Sequence, residues 1–69
     1  MKIKVEKQDN YIIKSVKRIS DGTKFKIGDK ILDTSTGYSG RIEEIIISND
    51  IVFFITEKYR LLENIIKIK

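Results

Sequence analysis

Apolar and polar residues alternate along much of this chain, which is the pattern of strands that bury only one face. Short clusters of Gly, Asn, Asp, Ser and Thr interrupt the alternation, and such clusters predict turns or loops. We therefore predict a strand for each alternating or apolar run between two clusters. The predicted strands cover residues 1–6, 11–19, 24–33, 41–48, 51–57 and 65–69, and Gly28 and Asp29 interrupt the third of them.

Three local features refine this pattern. The alternation slips between Ile13 and Val16, which indicates a β-bulge. The Asp21–Gly22 pair predicts a hairpin turn, and residues 49–50 predict a second tight turn because Asn and Asp tolerate a positive φ. The strand at 51–57 begins with five apolar residues in a row, so we expect it to be central in its sheet.

Residues 58–64 are too short for a stable helix, and we predict a loop with one 3₁₀ turn before the last strand. Their leucines and the isoleucines that follow also fit helical spacing, so a helix over residues 58–66 stays open as an alternative. Five or six short strands joined by tight turns predict an all-β fold, a small barrel, with residues 1–69 as a single domain.

Residues 27–68 resemble an SH3-like barrel of the KOW/Tudor type. The matching pieces are "IGDKIL", "TGYSGRIEEI", "IVFFIT" and "LLENIIKI". The preceding "IKSVKRISDGTKFKIGDKI" resembles a segment of small uncharacterised proteins of bacteriophages and prophages, and the two likenesses together cover most of the chain. They imply an SH3-like barrel of five or six strands and an origin in a mobile element, and they imply no reaction.

Composition narrows the chemistry and the location. The chain has 69 residues with no Cys and no His, which excludes disulfides and removes Ser–His and Cys–His nucleophile pairs and the commonest transition-metal ligands. The loop at 34–40 lacks the Gly-Lys-Ser/Thr ending of a phosphate-binding loop. We therefore expect no enzyme activity, no cofactor and no metal. No apolar run approaches the roughly 20 residues of a membrane span, and the start lacks a signal peptide, so we expect a cytoplasmic protein.

The net charge of +4 is unevenly distributed along the chain. Residues 1–30 hold nine basic and four acidic residues, whereas residues 31–66 hold three and six. Because the ends of a small closed barrel lie close together, we expect the basic ends to form one face that contacts nucleic-acid phosphates. The alternative is an ordinary solvated surface. The predicted contacts are Lys14, Lys17, Arg18, Lys24, Lys26 and Arg41, with Lys2, Lys4, Lys67 and Lys69 beside them.

The loop at 34–40 places Tyr38 between two glycines. An exposed Tyr38 could stack on a base or contact a protein partner together with Tyr59, whereas a buried Tyr38 would only cover the rim of the barrel. A Tudor-like cage for methylated lysine or arginine could combine these tyrosines with Phe53 and an acid such as Asp33 or Glu57, although one of the consecutive Phe53 and Phe54 must face the core. The strand at 51–57 could also pair across a homodimer, so a monomer and a homodimer both stay open.

These observations lead us to expect a non-enzymatic binding module. The leading hypothesis, which follows the resemblance, is a phage or prophage accessory protein that acts by protein–protein interaction with a host or phage protein. The alternative hypothesis is a KOW-like module that binds nucleic acid through its basic face.

Overall fold

The computed structural model describes residues 2–68, which form nine short strands and no helix. The strands are β1 (Ile3–Asp9), β2 (Ile12–Arg18), β3 (Lys24–Lys26), β4 (Lys30–Asp33), β5 (Ser39–Arg41), β6 (Glu44–Ser48), β7 (Ile51–Ile55), β8 (Arg60–Leu61) and β9 (Ile65–Lys67). They form three sheets, in the orders β1–β2–β3, β5–β4–β9 and β6–β7–β8. The all-β prediction is confirmed, but the strands are shorter and more numerous than the predicted five or six.

The hairpin of β1 and β2 is longer than the sequence predicts. Asp9 pairs with Ile12, so only two residues form the turn. One of them, Asn10, has a φ of 56°, a left-handed conformation that Asn adopts more readily than most residues. The polar residues 8–10 therefore do not end the strand where we expected, because cross-strand pairing holds them extended up to Asp9.

The register of this hairpin is irregular near its middle. The pairing skips Glu6 in β1 and Lys14 in β2, and regular pairing resumes on both sides. The irregularity in β2 lies where the slipped alternation predicted a bulge. The matching one in β1 restores the register, so the core-facing residues stay aligned on both strands.

Two predicted strands are each divided between two sheets. Gly28, with a φ of 94°, turns the chain out of the first sheet, so the stretch predicted over 24–33 with an interruption at Gly28 and Asp29 forms two strands in different sheets. The strand predicted over 41–48 divides into β5 and β6 at Ile42, whose side chain is buried in the core. The N–H of Ile42 donates to the carbonyl of Asp29 at 2.9 Å, and its own carbonyl accepts from Gly28 at 2.7 Å. These bonds fix the bend.

Residues 58–64 contain neither the predicted 3₁₀ turn nor the alternative helix. The Thr56 hydroxyl and N–H both donate to the carbonyl of Tyr59 at 2.9 Å, which closes a turn. The short β8 follows and pairs with β7, with Leu61 opposite Phe54. Burial of Leu61 against the core favours an extended chain here over a helix. This pairing also makes β7 the central strand of its sheet, as predicted.

The inner faces of the three sheets meet in one core. Phe25 and Phe54 lie at its centre, with ring centroids 5.3 Å apart. The buried apolar residues are Ile3, Val16, Phe25, Ile31, Ile42, Ile45, Val52, Phe54, Leu61 and Ile65. The sheet β1–β2–β3 is therefore attached through Val16 and Phe25, and its other face is left to solvent.

Candidate nucleic-acid interface

The outer face of the sheet β1–β2–β3 carries a row of three lysines. Lys4 pairs with Lys17, and Lys17 pairs with Lys24 on the next strand. Directly paired residues of antiparallel strands project from the same face, with Cβ atoms about 5 Å apart. The three ammonium groups therefore extend from neighbouring positions across the whole width of the sheet.

A second row lies two residues further along β2 and β3 and three residues further along β1, where the skipped Glu6 adds one residue to the strand and keeps Lys7 on the face of Lys4. Lys7 pairs with Ser15, and Ser15 pairs with Lys26. Because side chains alternate along a strand, this row projects from the same face as the first. We call the lysines of both rows the lysine face; they are Lys4, Lys7, Lys17, Lys24 and Lys26.

The core determines which way the lysine face points. Val16 and Phe25 are almost completely buried, and they are the sequence neighbours of Lys17 and of Lys24. Since consecutive strand residues point to opposite faces, burying the apolar pair directs the lysines to solvent. Four of the five lysines are exposed, and Lys17, in the middle of the row, is half-buried by its neighbours.

The lysine face has little charge compensation. Like charges directly opposite each other destabilise a sheet, by about 0.2–1 kcal/mol for a pair. Among the described residues, the carboxylate of Glu6 lies 3.8 Å from the Lys24 ammonium group, and no ion pair is found for Lys4, Lys7, Lys17 or Lys26. The arrangement therefore opposes folding slightly and presents a dense positive charge that an anionic partner would neutralise.

The C-terminal strand lies beside the lysine face. Lys67 lines a shallow cleft of about 270 Å³ together with Lys24 and Lys26. Its ammonium group lies 3.4 Å from the carboxylate of Asp29, which also accepts the backbone N–H of Lys26 at 3.0 Å. Of the other lysines expected on this face, Lys67 lies beside it, Lys2 lies 3.9 Å from the carboxylate of Glu63 instead, and Lys69 lies outside the described residues.

Arg18 lies on the inner side of β2 and links this strand by hydrogen bonds to a distant part of the chain. Its Nη1 donates to the carbonyls of Glu63 and Ile65 at 2.6 Å each. Its Nε and Nη2 bind the carboxylate of Asp21 at 3.0 and 2.7 Å, and this hydrogen bonding holds the pKa of Asp21 well below its usual range. The guanidinium also lies 5.1 Å from the centre of the Phe25 ring. Most of the donors that a phosphate would need are therefore already used.

The other two predicted contacts lie apart from the lysine face. Lys14 is the residue skipped in the β2 register, and it lines a cleft with Glu43 and Glu44. Arg41 belongs to a different sheet, where its Nη1 donates to the carbonyl of Gly28 at 3.0 Å. Of the six predicted residues, the fold brings together Lys17, Lys24 and Lys26.

The sequence reasoning gave Lys4 a secondary place and did not select Lys7. Lys4 belongs to the polar half of the alternation of the first strand, whereas Lys7 has the parity of the apolar half and reaches the outer face because the register skips Glu6. Selecting both lysines required the register between two strands, which the paired irregularities around Glu6 and Lys14 determine.

Tyr38 and Tyr59 pack edge to face, with ring centroids 4.7 Å apart and an interplanar angle of 80°. Tyr38 is half-buried and packs against the core, whereas Tyr59 is 55% exposed. A Cβ added at Gly40 would lie 2.6 Å from the Tyr38 hydroxyl oxygen, so this glycine allows the ring to approach the backbone closely. Tyr38 thus folds back over the sheet, and Tyr59 is the more accessible of the two tyrosines.

The third aromatic residue of the predicted cage lies elsewhere. Phe54 is buried in the core, and Phe53 projects from the opposite face of β7, as strand alternation requires. The guanidinium of Arg60 lies 5.4 Å from the centre of the Phe53 ring. Phe53 already has a cationic partner, and the two tyrosines supply two walls of a cage at most.

The carboxylate of Asp33 organises the loop that contains Tyr38. It accepts the backbone N–H and the hydroxyl of Ser35 at 3.0 and 2.8 Å, the hydroxyl of Thr36 at 3.0 Å and the side-chain amide of Asn64 at 3.0 Å. These bonds, led by the backbone N–H of Ser35, hold the pKa of Asp33 below its usual value. The loop is therefore built by internal hydrogen bonds as a connection between β4 and β5.

Residues 2–68 lack two structural features that would indicate a function. They contain no group of three or more Asp or Glu side chains arranged to hold a metal ion. None of their segments is a helix long and apolar enough to cross a membrane.

Comparisons with known proteins found no matching family, no similar curated protein and no similar solved structure.

Proposed function

We propose that this protein is a non-enzymatic module that binds nucleic acid through the lysine face. The observation that carries the proposal is the row of Lys4, Lys17 and Lys24, aligned in register across three strands. Lysines that neutralise phosphates release condensed counterions, which is the main source of sequence-independent affinity for nucleic acid. The same row opposes folding when it is empty, so an anionic ligand relieves a repulsion that the fold otherwise contains.

We further propose that residues 30–67 are an SH3-like barrel, and that the sheet β1–β2–β3 is an addition that carries the lysine face. Two observations support this arrangement. β4 lies between β5 and β9, and β7 lies between β6 and β8. If β5 and β6 are counted as one strand bent at Ile42, five strands make two sheets that share the bent strand. The proposal includes a cytoplasmic location, where nucleic acid is accessible.

The test measures affinity for labelled nucleic acid, single-stranded and duplex, by fluorescence anisotropy between about 50 and 200 mM salt. Contacts to three to five phosphates give a slope of log K against log salt of about −2 to −4. The triple variant Lys4→Ala, Lys17→Ala, Lys24→Ala should bind more weakly and reduce the steepness of this slope by about 2 to 3.

The matched control is the triple variant Lys14→Ala, Lys30→Ala, Lys58→Ala, which removes the same charge from exposed positions outside the lysine face. It should change the slope much less. The proposal fails if the unmodified protein does not bind at the lowest salt, or if the control weakens binding as much as the lysine-face variant. Circular dichroism establishes that both variants are folded.

The second candidate is a protein-interaction role, the accessory role in a phage or prophage that the resemblance implies. The observation in its favour is the Tyr38–Tyr59 pair, in which a half-buried ring supports an exposed one. Such supported aromatic side chains are frequent anchors of protein interfaces.

Affinity purification from a nuclease-treated host lysate tests this candidate. It predicts a stoichiometric protein partner that Tyr59→Ala loses and that the lysine-face triple variant keeps. The protein-interaction role is contradicted if neither lysate yields a stoichiometric protein partner and the lysate without nuclease yields nucleic acid instead. Sedimentation of the purified chain distinguishes a monomer from a homodimer in the same preparation.

A further inference from the structure

The turn between β1 and β2 presents an aromatic residue entirely to solvent. Tyr11 is 99% exposed, and the adjacent Ile12 is 56% exposed. Stabilisation by the hydrophobic effect requires that apolar surface leave water, so a fully exposed ring contributes none of it to the fold. The left-handed position of this two-residue turn belongs to Asn10. The backbone of the turn thus gives no reason for an aromatic side chain at position 11.

The register places this turn at the end of the lysine face. Ile13 packs against the core, so the next residue towards the turn, Ile12, projects from the outer face. Ile12 pairs with Asp9, and this pair follows the row that contains Lys7 at a distance of about 7 Å along the strands. The outer face therefore carries two lysine rows, then the pair of Ile12 and Asp9, and finally the turn with Tyr11.

We propose that the nucleic acid bound by the lysine face is single-stranded, and that one of its bases stacks on Tyr11. This inference rests on the proposed function. An unpaired base has a free π-face that can stack on an exposed tyrosine, and such stacking tolerates any base. In a duplex the bases are stacked on each other, and presenting one to Tyr11 requires that it be unstacked first. A duplex can therefore use the lysines but not the tyrosine, while a single strand can use both.

Acidic residues lie near Tyr11, which favours the same interpretation: Glu43 and Glu44 line a cleft with Tyr11, and the one paired with Ile12 is Asp9. Its charge lies between the lysine rows and the turn, where a phosphate would be repelled. A base, which carries no formal charge, meets no such repulsion. The charge pattern thus suits a strand whose phosphates follow the lysine rows and whose last contacted nucleotide presents its base.

The experiment compares Tyr11→Ala, Tyr11→Phe and the matched control Tyr59→Ala in binding to a single strand and to a duplex. We expect Tyr11→Ala to weaken single-strand binding about 5- to 150-fold, the range that loss of one stacked base produces. The salt slope should stay unchanged because no phosphate contact is lost. Duplex binding should also stay unchanged. Tyr11→Phe should retain the affinity, since the ring and not the hydroxyl makes the contact.

Tyrosine fluorescence gives a second readout, because the chain has three tyrosines and no tryptophan. Binding of a single strand should quench the emission, and Tyr11→Phe should remove most of this quenching while affinity is kept. If Tyr11→Ala binds a single strand as tightly as the unmodified protein, or if Tyr59→Ala weakens binding equally, the inference is overturned and the lysine-face proposal stands. If the unmodified protein binds neither form, both proposals fall together.

Discussion

Replacing Arg18 by methionine should separate folding from binding at two neighbouring positions of β2. The guanidinium of Arg18 joins this strand to carbonyls 45 and 47 residues further along the chain. Methionine keeps an apolar stem in the same place and removes every hydrogen bond. The substitution therefore tests whether this arginine holds the N-terminal sheet against the segment before β9, as the geometry indicates, or contacts nucleic acid, as the sequence alone suggests.

The expected loss of stability follows from the contacts of Arg18. A shielded hydrogen bond from a charged donor contributes about 1.5–3 kcal/mol, and the two bonds to carbonyl oxygens are partly shielded, so we take the lower value for each. The contact with the Phe25 ring adds about 0.5–1 kcal/mol. The total is about 3.5–4 kcal/mol, against about 3–10 kcal/mol for a whole domain of this length. The melting temperature should fall by about 15 °C or more.

The measurement is urea and thermal unfolding by circular dichroism, with Lys17→Met as the matched control. Lys17 opposes Lys4 and Lys24 in the lysine face, so its replacement should raise stability by about 0.4–2 kcal/mol, the opposite direction to Arg18→Met, and reduce the salt slope by about 0.7–0.9. Arg18→Met should keep the slope at temperatures where it is folded. If Arg18→Met is as stable to urea and heat as the unmodified protein, the structural role of Arg18 is refuted. If Arg18→Met reduces the salt slope as much as Lys17→Met does, Arg18 contacts nucleic acid.

Two other substitutions test the Tyr38 loop. Gly40→Ala should displace the Tyr38 ring from the backbone of β5 and weaken its packing against Tyr59, which lowers the free energy of unfolding by about 1 kcal/mol. Urea unfolding measures this loss, and near-ultraviolet circular dichroism reports the change around the tyrosine rings. An unchanged tyrosine signal would show that the Tyr38 ring does not lie against β5. Because hydrogen bonds hold the pKa of Asp33 below its unfolded value, its contribution to stability is present above an unfolded pKa of about 3.9 and is lost as pH falls through the lower folded pKa. The unmodified protein should therefore have a higher melting temperature than Asp33→Asn at neutral pH, and the difference should become smaller on acidification. A difference that stays constant with pH would contradict this reasoning.

The turns could be predicted from the sequence because local backbone chemistry determines them. Gly22 has a φ of 74°, and the turn residues Asn49 and Asp50 have φ values of 51° and 63°, conformations that few residue types adopt easily. The division of strands between sheets could be predicted only in part. Gly28 marks one division in the sequence, whereas the bend at Ile42 depends on hydrogen bonds to a distant segment and on burial in a core that the whole chain completes.

The candidate site could likewise be predicted only in part from the sequence. Lys17 and Arg18 are adjacent basic residues that the sequence suggested as equivalent contacts, yet they point to opposite faces of β2. The alternation of side chains along a strand predicts this difference, because Arg18 lies on the same face of β2 as Val16. What alternation could not supply is the partner of each residue across the sheet. That Lys4 aligns with Lys17 depends on a register fixed by the core, and so does the place of Tyr11 beyond the lysine rows.

The fold makes the lysine face rigid as well as positive. Lysines on mobile loops would lose conformational freedom on meeting a phosphate backbone, and this loss reduces affinity. Here β2 is hydrogen-bonded on both sides, the inner face is held by Val16 and Phe25, and Arg18 fastens the end of the strand to the rest of the chain. The repulsion among aligned lysines then cannot relax by separating the strands. It persists in the folded protein, and an anionic ligand that removed this repulsion would bind more tightly for that reason.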